Sequence, residues 1–171
     1  MKPRGREAKK LSKQQNNKNR VKNLAQIEAP DTEKSLARRQ AEEGYLEQFV
    51  QWSVRAVDLE FEQLDCRWDL SPGELNELLQ FLEDLSKKTW TEVLAETDGK
   101  GRRKHHTHNP ADLHPTAKSR LREIGMAGEE KIFRFRVKGT LRLWGFRIGP
   151  VFRILWYDPK HQVYPVEKRN T

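Results

Sequence analysis

The sequence predicts an α+β fold, with N-terminal helices packed on a three- to five-stranded antiparallel sheet built from the C-terminal third. Three observations predict it. From Lys131 the chain alternates: Phe133, Phe135 and Val137 share one side of a strand, and Arg134, Arg136 and Lys138 share the other. "LRLWGFRIG" and "VFRILWYD" follow in the same manner, punctuated by glycine and proline. Upstream, Ser71-Pro72-Gly73-Glu74 opens a leucine run at helical spacing, with Ser71 as N-cap, Pro72 at the first helical position and Glu74 completing a capping box.

Taken in order, residues 1–24 hold nine basic residues and one acid, with too few apolar side chains to offset the entropy of ordering. A disordered basic tail is expected over 1–30, and the same tail can serve as a salt-sensitive arm on nucleic acid. A single α+β domain is expected over 31–171, with a helical half (33–96), a histidine loop (97–114), a short helix (115–124) and the sheet (131–166). Within the helical half, Leu36, Tyr45, Leu46, Phe49, Val50 and Trp52 suggest a helix over 33–57. "VDLEFEQL" then alternates Val57, Leu59 and Phe61 with acids, as an edge strand does. From Ser71, leucines at 75, 78, 79, 82 and 85 carry one core helix to about Ala95. "PTAKSRLREIG" is a basic helix opened by Pro115 and stopped by Gly125.

The net charge of +8 divides into three blocks: +8 over residues 1–24, −11 over 25–99 and +11 over 100–171. Basic ends around an acidic middle suit a surface that meets a polyanion. Cys66 is the only cysteine, so no intrachain disulfide forms, a reducing cytoplasmic setting is expected, and a buried structural thiol is the simplest role. No run of about 18 apolar residues exists to span a membrane, and the basic N-terminus lacks the apolar stretch of a secretory signal.

Three groups of residues could carry chemistry. In "HHTH", His106 and His108 are two apart, which places both imidazoles on one side of an extended backbone. They read as a solvated polar loop, as proton-transfer groups titrating near neutrality, or as zinc ligands. Zinc is the weakest reading, because no cysteine is near and no helical H-x3–5-H pair exists. No metal or other cofactor is expected. The second group is Asp158-Pro159-Lys160-His161. Asp158 either only caps a turn or also orients the His161 ring as a base–orienter pair, with Tyr157 and Tyr164 nearby. The third is Arg134, Arg136, Arg142, Arg147 and Arg153, read either as a solvated face or as bidentate donors to phosphate oxygens.

The stretch "GTLRLWGFRIGPVFRILWYDPKH", coming after helices, resembles the RelE/ParE toxin superfamily. Arg142, Gly145, Arg147, Gly149, Arg153 and Tyr157 occupy broadly corresponding places. The chain is more closely similar to uncharacterised small bacterial and mobile-element proteins with an HxH loop, an arginine–tryptophan–glycine hairpin and a terminal D-P-x-H. The likeness covers about residues 115–165. The likeness to the toxin superfamily implies a protein that cleaves messenger RNA on the ribosome or inhibits DNA gyrase and is held inactive by an antitoxin, while the second likeness brings no known activity. Of these, an RNA-directed, toxin-like protein with RNA or the ribosome as target and an antitoxin as partner is expected. Joined to the histidines, this expectation suggests a metal-independent endoribonuclease in which a ribose 2′-hydroxyl attacks the adjacent phosphate. His161 or His108 would be the base, with His106, Asp158 and Tyr157 beside them, while Arg142, Arg147 and Arg153 hold the phosphate. The alternative is a non-catalytic accessory protein of a mobile element that binds nucleic acid or another protein.

Overall fold

The computed structural model describes residues 44–164, and Tyr45 onward belongs to one compact unit. The basic tail and the beginning of the helix expected from residue 33 lie outside the described residues. The elements are β1 (Gln51–Ser53), α1 (Pro72–Ser86), α2 (Trp90–Ala95), β2 (His106–His108), α3 (Pro115–Glu123), β3 (Ile132–Lys138), β4 (Leu141–Ile148) and β5 (Val151–Asp158). The five strands form one sheet in the order β1-β5-β4-β3-β2. The class is α+β, as expected, but the sheet is mixed. β1 runs parallel to β5, and the other neighbours are antiparallel.

The capping box at Ser71 forms: Glu74 N donates to Ser71 Oγ, and Ser71 N donates to Glu74 Oε2 at 2.9 Å. The helix it opens stops at Ser86, whereas the leucine pattern runs on to Ala95. Thr89 is extended and starts a second helix with its own capping box to Glu92. Such caps compete with helix continuation because serine and threonine hydroxyls satisfy the first free N–H groups of a new turn.

Two other expectations are overturned. Residues 51–53, read as part of a helix, form β1, because pairing with Val151–Arg153 outweighs a loose helical spacing. The segment 57–64 forms no strand, since Asp58 turns inward to an ion pair and Gln63–Asp65 make a 3-10 turn with Leu64 at φ 58°.

Both faces of the sheet are covered, which corrects the expectation of a buried face and a guanidinium-bearing face open to solvent. On the first face, Leu78, Leu82 and Leu85 of α1 and Trp90 and Val93 of α2 pack on Phe133, Phe135, Leu143, Phe152 and Ile154. On the second, Leu113 and the α3 residues Ala117 and Leu121 join Phe61 and Cys66 over Ile132, Trp144, Phe146, Leu155 and Trp156. A bulge makes this possible. The register passes from Trp144↔Trp156 to Gly145↔Ile154, leaving Leu155 extra, so consecutive residues Leu155 and Trp156 both face the second layer. Gly145 lies beside the bulge, where a Cβ would sit 2.1 Å from the Arg153 carbonyl oxygen. Cys66 is fully buried, and burial pushes its thiol pKa up.

Candidate functional site

At the β2 side of the second face, the helical cover gives way to polar side chains. His106 pairs in register with Arg134, and His108 with Ile132. Arg136 faces Arg142, which faces Asp158. Period-two alternation therefore places His106, His108, Arg134, Arg136, Arg142 and Trp144 on one surface. Within the expected histidine loop (97–114), His106–His108 form a short strand, and the two imidazoles do share a side. Their ring centroids lie 6.0 Å apart, and His108 packs against Tyr164 (4.4 Å) and Trp144 (5.3 Å).

His161 reaches this surface from the turn after β5. Its backbone adopts φ 57°, a left-handed conformation costly for a non-glycine residue. Asp158 holds the turn: fully buried, its carboxylate accepts from Gln162 N (2.9 Å), Val163 N (3.2 Å) and Trp144 Nε1 (3.1 Å). The expected base–orienter pair is not formed, because Asp158 bonds the backbone around His161 and not its ring. The ring instead meets Arg134, with Nε2 2.7 Å from Nη1.

Arg134 and Arg142 are 8% and 7% exposed. Each carries a buried Nε without a hydrogen-bond partner, as does Nε2 of His108. Arg142 spends Nη1 on the carbonyls of Gly139 and Leu141. Neither guanidinium has a carboxylate ion pair among the described residues; the ion pairs nearby are those of Arg136 with Asp98 and Lys160 with Asp65.

Burial first, and then the neighbouring guanidiniums, hold the imidazoles of His108 and His161 down at about 4. His106 is lowered for the same reasons. Arg134 falls to about 10 through burial, Arg142 and Arg136. Burial raises the carboxyl of Asp158 against the hydrogen bonds it accepts. At neutral pH the cluster is three neutral imidazoles among three guanidiniums.

Three expected site residues do not join this cluster. Arg147 lies on the first face, its guanidinium 4.4 Å from the Trp90 ring centroid and its Nη2 donating to Tyr45 Oη at 2.8 Å. Tyr157 is also on that face, 6.0 Å from Trp68. Arg153 is exposed at the β1 edge, in register with Ser53 and Phe146. Sequence reasoning missed the burial of Arg134 and Arg142. The available signal was that Asp158 is the only acid from Lys131 to Tyr164, too few to pair the cations there. His105, adjacent to His106 in the same run, has no role assigned from sequence. It is buried under β3, accepts from Arg136 N, and approaches Glu96 at 3.2 Å.

Among the described residues, no three His, Cys, Asp or Glu side chains gather as metal ligands, and no helix is long and apolar enough to cross a membrane. No family model, no curated protein and no solved structure matches this chain.

Proposed function

We propose that this protein binds RNA at the His106–His108–His161 cluster and cleaves a phosphodiester there by attack of the adjacent 2′-hydroxyl. One observation carries the reading. Two arginines, each more than nine-tenths buried as residues, share a surface with three neutral imidazoles and have no carboxylate ion pair among the described residues. Uncompensated buried cations are costly unless an anion completes them. A phosphate supplies that anion, and arginine matches its oxygens bidentately.

Neutral imidazoles add what the reaction needs. One accepts the proton of the 2′-hydroxyl as its oxygen bonds phosphorus. A second, protonated, gives a proton to the 5′-oxygen as the P–O5′ bond breaks, leaving a 2′,3′-cyclic phosphate and a 5′-hydroxyl. Arg134 and Arg142 hold the non-bridging oxygens, where charge develops. Asp158 sets the turn that delivers His161 and takes no proton. In the toxin-like reading the target is messenger RNA or the ribosome, and a neighbouring protein restrains the activity.

The test is to incubate free and ribosome-bound RNA, and DNA of the same sequence, with the protein in the presence of a chelator. RNA alone should yield 2′,3′-cyclic phosphate ends, and Arg134→Gln or His161→Asn should reduce cleavage at least about a hundredfold, the usual share of one acid–base group. RNA bound in a salt-sensitive way but left uncut would replace cleavage with the accessory binding role. RNA neither bound nor cut would overturn the site.

A further inference from the structure

We propose that the site binds its anion together with a proton: an arriving phosphoryl group draws Arg134 off His161, and the freed imidazole nitrogen is protonated beside the anion. The proposal rests on the cluster being a phosphate site and adds how the site acquires its acid.

Geometry fixes the starting state. A guanidinium has donors only, so the 2.7 Å contact between Arg134 Nη1 and His161 Nε2 requires an unprotonated Nε2. The imidazole and the guanidinium therefore cap each other while the site is empty. Each also has reason to exchange that partner. Arg134 is nine-tenths buried with Nε unpartnered, and His161 is held in a left-handed backbone by the Asp158 turn.

The groups facing His161 explain why the proton comes with the anion and not before it. β3 contributes Arg134 and Arg136, and β4 contributes Arg142. β2 contributes His106 and His108; Asp158 stands at the end of β5, and Tyr164 packs on His108. Lys160, next in the turn, is paired with Asp65. Asp158 is the one carboxylate in that group, and it is already committed to three donors. A proton added to the empty site meets three guanidiniums; beside a bound phosphate it meets neutralised ones. An imidazole then titrates higher in the occupied site than in the empty one, where burial and the guanidiniums hold it near 4. By linkage, binding takes up a proton, and affinity rises as pH falls until it levels off near the empty-site value. For cleavage, the substrate itself makes the acid, while a second imidazole remains neutral as base.

The experiment uses the full chain and sulfate, whose charge is constant between pH 5 and 8, with a 2′-deoxy dinucleotide phosphate as the uncleavable nucleotide probe. Calorimetry in buffers of different ionisation heat counts protons, and NMR follows the His161 ring with and without sulfate. The expected result is uptake of about one proton and affinity gaining up to roughly tenfold per pH unit of acidification. The His161 ring should titrate at higher pH with sulfate than without, and His161→Asn should bind sulfate without the uptake. Binding with no proton uptake and an unmoved His161 titration overturns the proposal and leaves the phosphate site standing. Uptake that persists in His161→Asn overturns the assignment to His161. Absence of binding by either probe, and by RNA, overturns both.

Discussion

Nη1 of Arg134 lies 2.7 Å from Nε2 of His161, a donor-only cation resting on a neutral ring instead of a carboxylate. This pair is a poor stabiliser, and the proposed function makes it the place where a phosphate enters. Arg134→Met removes a buried cation that has no ion-pair partner among the described residues. It should raise stability by about 1–4 kcal/mol, the range seen when buried ionic groups give way to apolar ones. The same variant should lose RNA and sulfate binding. Thermal melting and fluorescence anisotropy measure the two effects, and a lower Tm would show that the guanidinium has a stabilising partner.

Arg147 likewise has a buried Nε without a hydrogen-bond partner, but its guanidinium has aromatic rings against it. Its guanidinium is stacked against Trp90 and lies 5.3 Å from the Phe133 ring and 5.5 Å from the Tyr45 ring. Arg147→Gln should cost about 1–2 kcal/mol through the lost cation–π contacts. RNA binding should be unchanged, since this residue sits on the opposite face from the histidines. Loss of binding in a fully folded variant would move the site.

Asp58 is 7% exposed and accepts from Arg120 Nε (2.9 Å), Arg120 Nη2 (2.7 Å) and Trp156 Nε1 (3.0 Å). Burial pushes its carboxyl up, but these donors bring it below the ordinary value. Arg120→Met leaves that carboxylate in the second layer with only the indole and the Glu60 N–H as donors, at a cost of about 3–5 kcal/mol. Asp58→Asn added to Arg120→Met should recover part of the loss. Urea midpoints of the single and double variants decide the matter.

The histidines also set the acid limit of the fold. His105, His108 and His161 titrate near 4 when folded, against an ordinary 6.5. A base with a depressed folded pKa stabilises fully above its unfolded value, and that contribution is lost as pH falls from 6.5 to 4. The slope should reach about 1.4 kcal/mol per pH unit for His105, which is buried, and less for the half-buried pair. Glu96, held at about 2 despite burial by Lys104 and Lys88, loses its contribution only below about 4.5. Urea midpoints between pH 4.5 and 8 should therefore fall before the carboxylates titrate. A flat profile down to pH 5 would show that the rings are not held neutral.

Local pattern made much of this fold legible. The capping residues Ser71 and Glu74, Pro115 at the start of α3, and the alternation from Ile132 to Asp158 each depend on neighbours close in sequence. The two-residue spacing of His106 and His108 likewise foretold a shared side. What stayed hidden depends on distant partners. β1 exists because Val151–Arg153 is there to pair with it. The bulge at Leu155 turns one strand's alternation toward a second layer, and Arg134 and Arg142 are buried where the pattern alone left them open. Arg147 and Arg142 look equivalent in sequence, and odd spacing sends them to opposite faces.

Gln51 finds its strand partner at Val151, and Arg134 finds its imidazole partner at His161. Both closures wait for the last strand and the turn beyond it. A nascent chain still lacking β5 has no partner for β1 and lacks the turn that carries His161, so the His106–His108–His161 cluster is assembled only after nearly the whole described domain has been synthesised. Pairings this far apart in sequence also make for slow folding.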